Sequence, residues 1–143
     1  MGNKFLYTEF TWPEVAKIAK EDRVAILPAA AIEAHGPHLP LDTDVVLCNE
    51  VCLRAAQQIP GEVVLLPPIT YGYSEHLMDF PGTITLDGDA LIKCVHGICK
   101  SLSRHGFRRI LIVNGHGLNP PYLDTAAHSV VTESKGRVIC ATI

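Results

Sequence analysis

Four short apolar runs set the plan of this chain: Val24-Ala25-Ile26-Leu27-Pro28, Val63 to Leu66, Ile110 to Val113 behind Arg108-Arg109, and Val138 to Ile143 behind Arg137. Stretches long enough to hold a helix separate most of them. Repeated strand, helix and strand at these lengths predict a three-layer α/β/α fold with a mostly parallel central sheet, and disfavour a barrel or sandwich. Helices are expected from Trp12 to about Lys20, with Thr11 or a neighbour as cap and Pro13 in the first turn, and from Val45 to Ala56, with Asp44 as cap. Two more should run from Asp87 or Asp89 to His105, ended by Gly106, and from about Pro121 to Glu133. Leu91, Val95, Ile98 and Leu102 supply the apolar face of the third helix. After the Pro81-Gly82 turn, alternating Thr83-Ile84-Thr85-Leu86 predicts a small extra strand.

The 143 residues, 48% of them hydrophobic, suffice for one domain spanning 1–143. The net charge of -3, with lysines and arginines scattered, offers no basic stripe to nucleic acid. No stretch approaches about 18 uninterrupted apolar residues, and the N-terminus lacks the basic-then-apolar order of a secretory signal, so a cytoplasmic location is expected. Cys48, Cys52, Cys94, Cys99 and Cys140 fall in expected helices or the last strand and read as free, buried thiols. Cys48 and Cys52 share a helix face, which leaves a metal or disulfide role open for that pair. The last run reads as a buried strand whose face and edge need a further covering segment or an oligomeric partner.

Directly after the first strand, Glu33-Ala34-His35-Gly36-Pro37-His38-Leu39-Pro40-Leu41-Asp42-Thr43-Asp44 sets five metal-competent side chains in twelve residues. Loops leaving the ends of strands are favoured places for a site in an open α/β sheet. Imidazole and carboxylate groups suit zinc, manganese or a similar divalent ion. Parallel order brings two more polar exits, Tyr71 to His76 and Asn114 to Asn119, to the same edge. Glu33, His35, Asp44 and His116 are therefore the candidate metal ligands, with a hydrogen-bonded cap and loop network as the alternative. His38 is either a ligand or a structural side chain. Asn114 is read as bracing its loop, and Glu75 and His76 as contacts for substrate or a neighbouring subunit, or as plain surface residues.

On Glu33 to Asp44, on Tyr71-Gly72-Tyr73-Ser74-Glu75-His76 with Phe80-Pro81-Gly82-Thr83, and on Val113-Asn114-Gly115-His116-Gly117, the chain resembles the creatininase family, the creatinine amidohydrolases. The resemblance implies a metalloenzyme, commonly hexameric, that hydrolyses cyclic or other non-peptide amide bonds with two divalent ions. It assigns Glu33 and His35 to one ion each, Asp44 to a bridge between them, and His116 to the ion of Glu33. Glu75 and His76 are the catalytic candidates beside these ligands. Creatininase itself places a glutamate two residues beyond the histidine, where this chain has Leu118. Relatives with the glycine-rich form of that loop recruit a glutamate from farther downstream, beyond Ile143. The resemblance therefore covers roughly the N-terminal half to three-fifths of such an enzyme. The family also acts on formylamino-pyrimidine nucleotides, peptide-derived cofactor precursors and sugar-like cyclic compounds, so the substrate stays open. The competing reading is a non-catalytic α/β metal-binding or structural module that retains part of a hydrolase site.

Overall fold

The computed structural model describes residues 4–143. Its elements are α1 (Trp12–Ile18), β1 (Val24–Ala29), α2 (Thr43–Gln58), β2 (Val63–Leu65), α3 (Gly88–His105), β3 (Arg109–Asn114), α4 (Pro120–Glu133) and β4 (Ile139–Thr142). The strands form one sheet in the order β2-β1-β3-β4, and every neighbouring pair is parallel. β1 and β3 pair over their full length, from Val24 opposite Arg109 to Ala29 opposite Asn114. This register puts the exits of the two central strands at one level.

Alternation along the strands divides the interior into two cores. Ala25, Leu27 and Ala29 of β1, with Ile110 and Ile112 of β3, join Leu91, Val95 and Leu102 of α3 and Leu123, Ala126 and Val130 of α4. On the opposite face, Ile26, Val63 and Leu65 meet Cys48, Cys52 and Ala56 of α2. Covered on both sides, β1 is almost wholly buried, as a central parallel strand requires. The expected α/β/α layering is thus present.

Local differences have local causes. Glu14 accepts the Thr11 N–H at 2.7 Å and starts α1 at the expected place. Gly106, at φ +107, ends α3 in a left-handed conformation open to glycine. Asp44 does not cap α2: the helix begins at Thr43 with Asp42 as N-cap, so Asp44 lies in its first turn. The expected strand after Pro81-Gly82 shrinks to one antiparallel bridge between Ile32 and Ile84. The threonine hydroxyls on either side of it bond elsewhere, Thr83 to Ala34 N–H and Thr85 to Ser74 N–H.

β4 is half-buried instead of buried. Cys140 packs on the α3 and α4 side, whereas Ile139 keeps 66% of its exposure on the other. The cysteines are free as expected, but Cys94 is exposed and Cys140 only partly covered. Among the described residues no helix is long and apolar enough to cross a membrane.

Candidate metal centre

Three strand exits meet at the C-terminal edge of the sheet. Gly115 N–H donates to the Ala29 carbonyl at 2.8 Å, and Ala30 N–H to the Ile69 carbonyl at 2.9 Å. The loop after β1 closes on itself where Glu33 N–H donates to the Leu41 carbonyl at 3.0 Å, and Gly36 turns it at φ +71. Of the two glycines beside His116, only Gly115 is demanded by contact. A Cβ there would lie 2.5 Å from the Cys48 Cβ, whereas one on Gly117 would meet nothing within 4 Å.

Asp44 is the hub of the cluster. Its Oδ1 lies 3.0 Å from His35 Nε2 and its Oδ2 3.0 Å from His116 Nδ1. Because Asp42 occupies the N-cap, both Asp44 oxygens are free for these contacts. His35 Nδ1 donates to the Glu33 carbonyl at 3.1 Å, and His116 Nε2 donates to the Tyr73 carbonyl at 2.8 Å. A carbonyl oxygen only accepts, so each imidazole spends one N–H on backbone and turns its other nitrogen toward Asp44.

Glu33 completes the buried side. Its Oε1 is 3.2 Å from His116 Nδ1, and its Oε2 is buried with no hydrogen-bond partner. One ligand atom from each of Glu33, His35 and Asp44 lies within 4.8 Å of the others. An orphaned carboxylate oxygen among oxygen and imidazole donors fits a divalent cation, because such an ion satisfies the acceptor that no N–H or O–H reaches. Burial, the largest single influence on His35, disfavours its charged form. The Glu33 carbonyl and the Asp44 carboxylate together outweigh it and raise the His35 pKa above its ordinary value.

The other sequence candidates lie at the margin. His38 is exposed. Glu75 and His76 sit exposed on a single 3-10 turn, Glu75–Leu77. The His76 ring stacks on His116, with centroids 6.3 Å apart and planes 29° from parallel. Leu118 is partly exposed and offers no donor atom. Asn114 braces the loop as expected, its Oδ1 accepting the His116 N–H at 3.1 Å. Cys48 donates to the Val113 carbonyl at 3.3 Å and, like Cys52, is a free packed thiol.

Among the buried polar residues, Ser74, Thr83 and Asn119 stand in the loops quoted from the sequence but had no role assigned there. Ser74 Oγ lies 3.5 Å from His116 Nε2, and the Asn119 amide bonds both Tyr73 and Ala30. Their chain neighbourhood in the quoted loops was the one available signal.

The sequence profile of the Creatininase family, described as creatinine amidohydrolase, matches residues 8–142. The chain belongs to the creatininase family. Within this family it is 37% identical over 129 residues to the creatinine amidohydrolase of Pseudomonas putida, covering 86% of this chain and 49% of that protein. It is 32% identical over 132 residues to the mycofactocin precursor peptide peptidase of Mycobacterium ulcerans (strain Agy99), covering 87% of this chain and 48% of that one. A mutant creatininase of the Zn-Zn type superposes with a TM-score of 0.89 at 33% identity, over 98% of this chain and 57% of its own. The chain spans about half the length of the curated relatives it matches. Part of the creatininase fold and a metal-competent α/β hydrolase-type site are therefore present in these residues.

Proposed function

We propose that this chain carries the metal centre of a hydrolase acting on a non-peptide or cyclic amide bond, with two divalent ions, zinc or manganese, held on either side of Asp44. The observation that carries this reading is the division of the Asp44 carboxylate, one oxygen to His35 and the other to His116. Glu33 and His116 would hold one ion and His35 the other. When bound, such ions lower the pKa of a water molecule and polarise a substrate carbonyl.

The protein's own groups define what surrounds that chemistry. Glu33 and Asp44 place negative charge where cations are to be held, and the two backbone carbonyls on His35 and His116 keep the rings turned inward. Opening a cyclic amide also requires a proton for the departing nitrogen. His76, stacked on His116 and open to solvent, and Glu75 beside it are the candidates for that delivery. The similarity to creatinine amidohydrolase favours creatinine among the first compounds to try, and the similarity to a peptide peptidase keeps longer substrates in play.

A homo-oligomer, of hexameric size by family resemblance, is part of this proposal, and the half-exposed β4 is compatible with it. Leu118, standing where creatininase has a glutamate, favours a second reading, a non-catalytic metal-binding or structural module. Assay of creatinine hydrolysis with added zinc or manganese separates the two, with Asp44→Ala as control. Turnover that needs the metal and disappears in the variant supports the hydrolase; zinc binding without turnover of any amide tried supports the module.

A further inference from the structure

Asn119 occupies the N-cap position of α4, yet its side chain makes no cap hydrogen bond. An asparagine there ordinarily accepts from the N–H groups of the first turn. In α4 the first two helical positions are Pro120 and Pro121, which have no N–H to give. The amide turns instead toward the sheet edge and is fully buried. Its Oδ1 accepts the Tyr73 N–H at 3.0 Å, and its Nδ2 donates to the Ala30 carbonyl at 3.2 Å.

Those two bonds join segments that nothing in the local sequence brings together. Ala30 follows β1, and the Tyr73 carbonyl receives the His116 Nε2–H at 2.8 Å. The backbone of Asn119 is tied to His116 as well, its N–H donating to the His116 carbonyl at 3.2 Å. Gly72 makes the approach possible, since a Cβ on it would lie 2.5 Å from Asn119 Oδ1 and 2.6 Å from the Ala30 oxygen. Aspartate cannot replace this amide, because one partner is an N–H and the other a carbonyl, and both a donor and an acceptor are needed.

We propose that Asn119 is a positioning residue for the metal centre: by anchoring the Tyr73 backbone through its N–H it holds the carbonyl of the same residue against His116 Nε2 and so reserves His116 Nδ1 for the ion. The inference rests on the metal-binding reading above. Losing an outer partner of a ligating histidine costs about 10- to 100-fold in metal affinity. Asn119→Ala therefore weakens zinc on the His116 side by that factor and leaves the His35 side within about twofold. Gly72→Ala, which leaves Asn119 in place but crowds its amide, has the same effect in smaller measure.

The test is zinc titration of the full chain and both variants by calorimetry, with nitrogen NMR of the histidine rings. In the zinc-loaded native chain His116 should show a slowly exchanging Nε2–H and a metal-bound Nδ1. In Asn119→Ala the Nε2–H exchanges faster and the His116 ring signals move, while those of His35 stay. Zinc bound through His116 Nε2 in the native chain overturns the proposal, and so does native affinity with an unchanged ring in a folded Asn119→Ala variant. If Asn119→Ala does not fold, the native ring assignment and Gly72→Ala decide the matter. A native chain that binds no zinc overturns the metal-centre reading itself.

Discussion

The two histidines on Asp44 are built in different ways. His35 belongs to the same loop as the carbonyl that orients it, and its side chain retains 22% of its exposure. His116 retains 4% and is oriented by Tyr73, 43 residues away in the chain. Around His116 stand buried Glu33, Ser74 and Asn119, whereas His35 contacts Asp44 and the Glu33 carbonyl of its own loop, with the Glu33 carboxylate within 4.8 Å. Preorganisation is therefore unequal. The His116 side of the cluster is held by contacts from distant parts of the chain, while the His35 side depends on a local turn. Rigid, buried donors lose less freedom on binding, so the His116 half should fill first and hold its ion more tightly.

Removing the shared group should erase the difference altogether. Asp44→Ala is expected to lower zinc affinity on both sides by more than about 100-fold, beyond the loss of any outer partner. Calorimetric titration checks this, and one surviving native-strength site would break the view of Asp44 as the hub. Single histidine variants then separate the halves. His116→Ala should remove the tighter event and leave the weaker, whereas His35→Ala should do the reverse, with metal content falling from two ions to one in each.

A smaller change tests the asymmetry from the other direction. Leu118→Glu supplies a carboxylate beside the weaker half and should tighten the second ion by about tenfold, or about 1.4 kcal/mol. No change would mean that this position does not face the His35 side.

The smallest expected effect is on metal-free stability. The folded His35 pKa lies above its ordinary value, so the folded chain holds that proton more firmly than the unfolded chain. This contribution is complete below the unfolded value, about 6.5, and is lost as pH rises through the folded one. In chelator, Tm should therefore fall slightly as pH rises through and above that point, and His35→Ala should flatten the slope. A native slope that persists in the variant assigns the effect to another group.

These contrasts also explain what the sequence disclosed. The four strands and the gathering of Glu33, His35, Asp44 and His116 into one cluster were legible because parallel strand order converges their loops on one edge. The family resemblance on the same motifs was legible too, and the profile match over residues 8–142 bears it out. The identity of the α2 cap was not, since Asp42 and Asp44 are equally good cap residues and only the folded loop selects Asp42. The extra strand is cut short because its backbone divides between two partners, Ile84 N–H to the Ile32 carbonyl and Leu86 N–H to the Gly72 carbonyl, which alternation cannot reveal. In the sequence Asn119 stood only as the last residue of the polar exit Asn114 to Asn119. Its role depends on Ala30, Gly72 and Tyr73 meeting it from distant parts of the chain.

The central claim is that Asp44 joins a preformed half-site at His116 to a weaker one at His35. Anomalous diffraction from crystals of this chain equilibrated at increasing zinc concentrations tests it most directly. The account predicts a first zinc peak among Glu33, Asp44 and His116, and a second between Asp44 and His35 only at higher zinc. A first peak on the His35 side, or zinc bound without contact to Asp44, would contradict it.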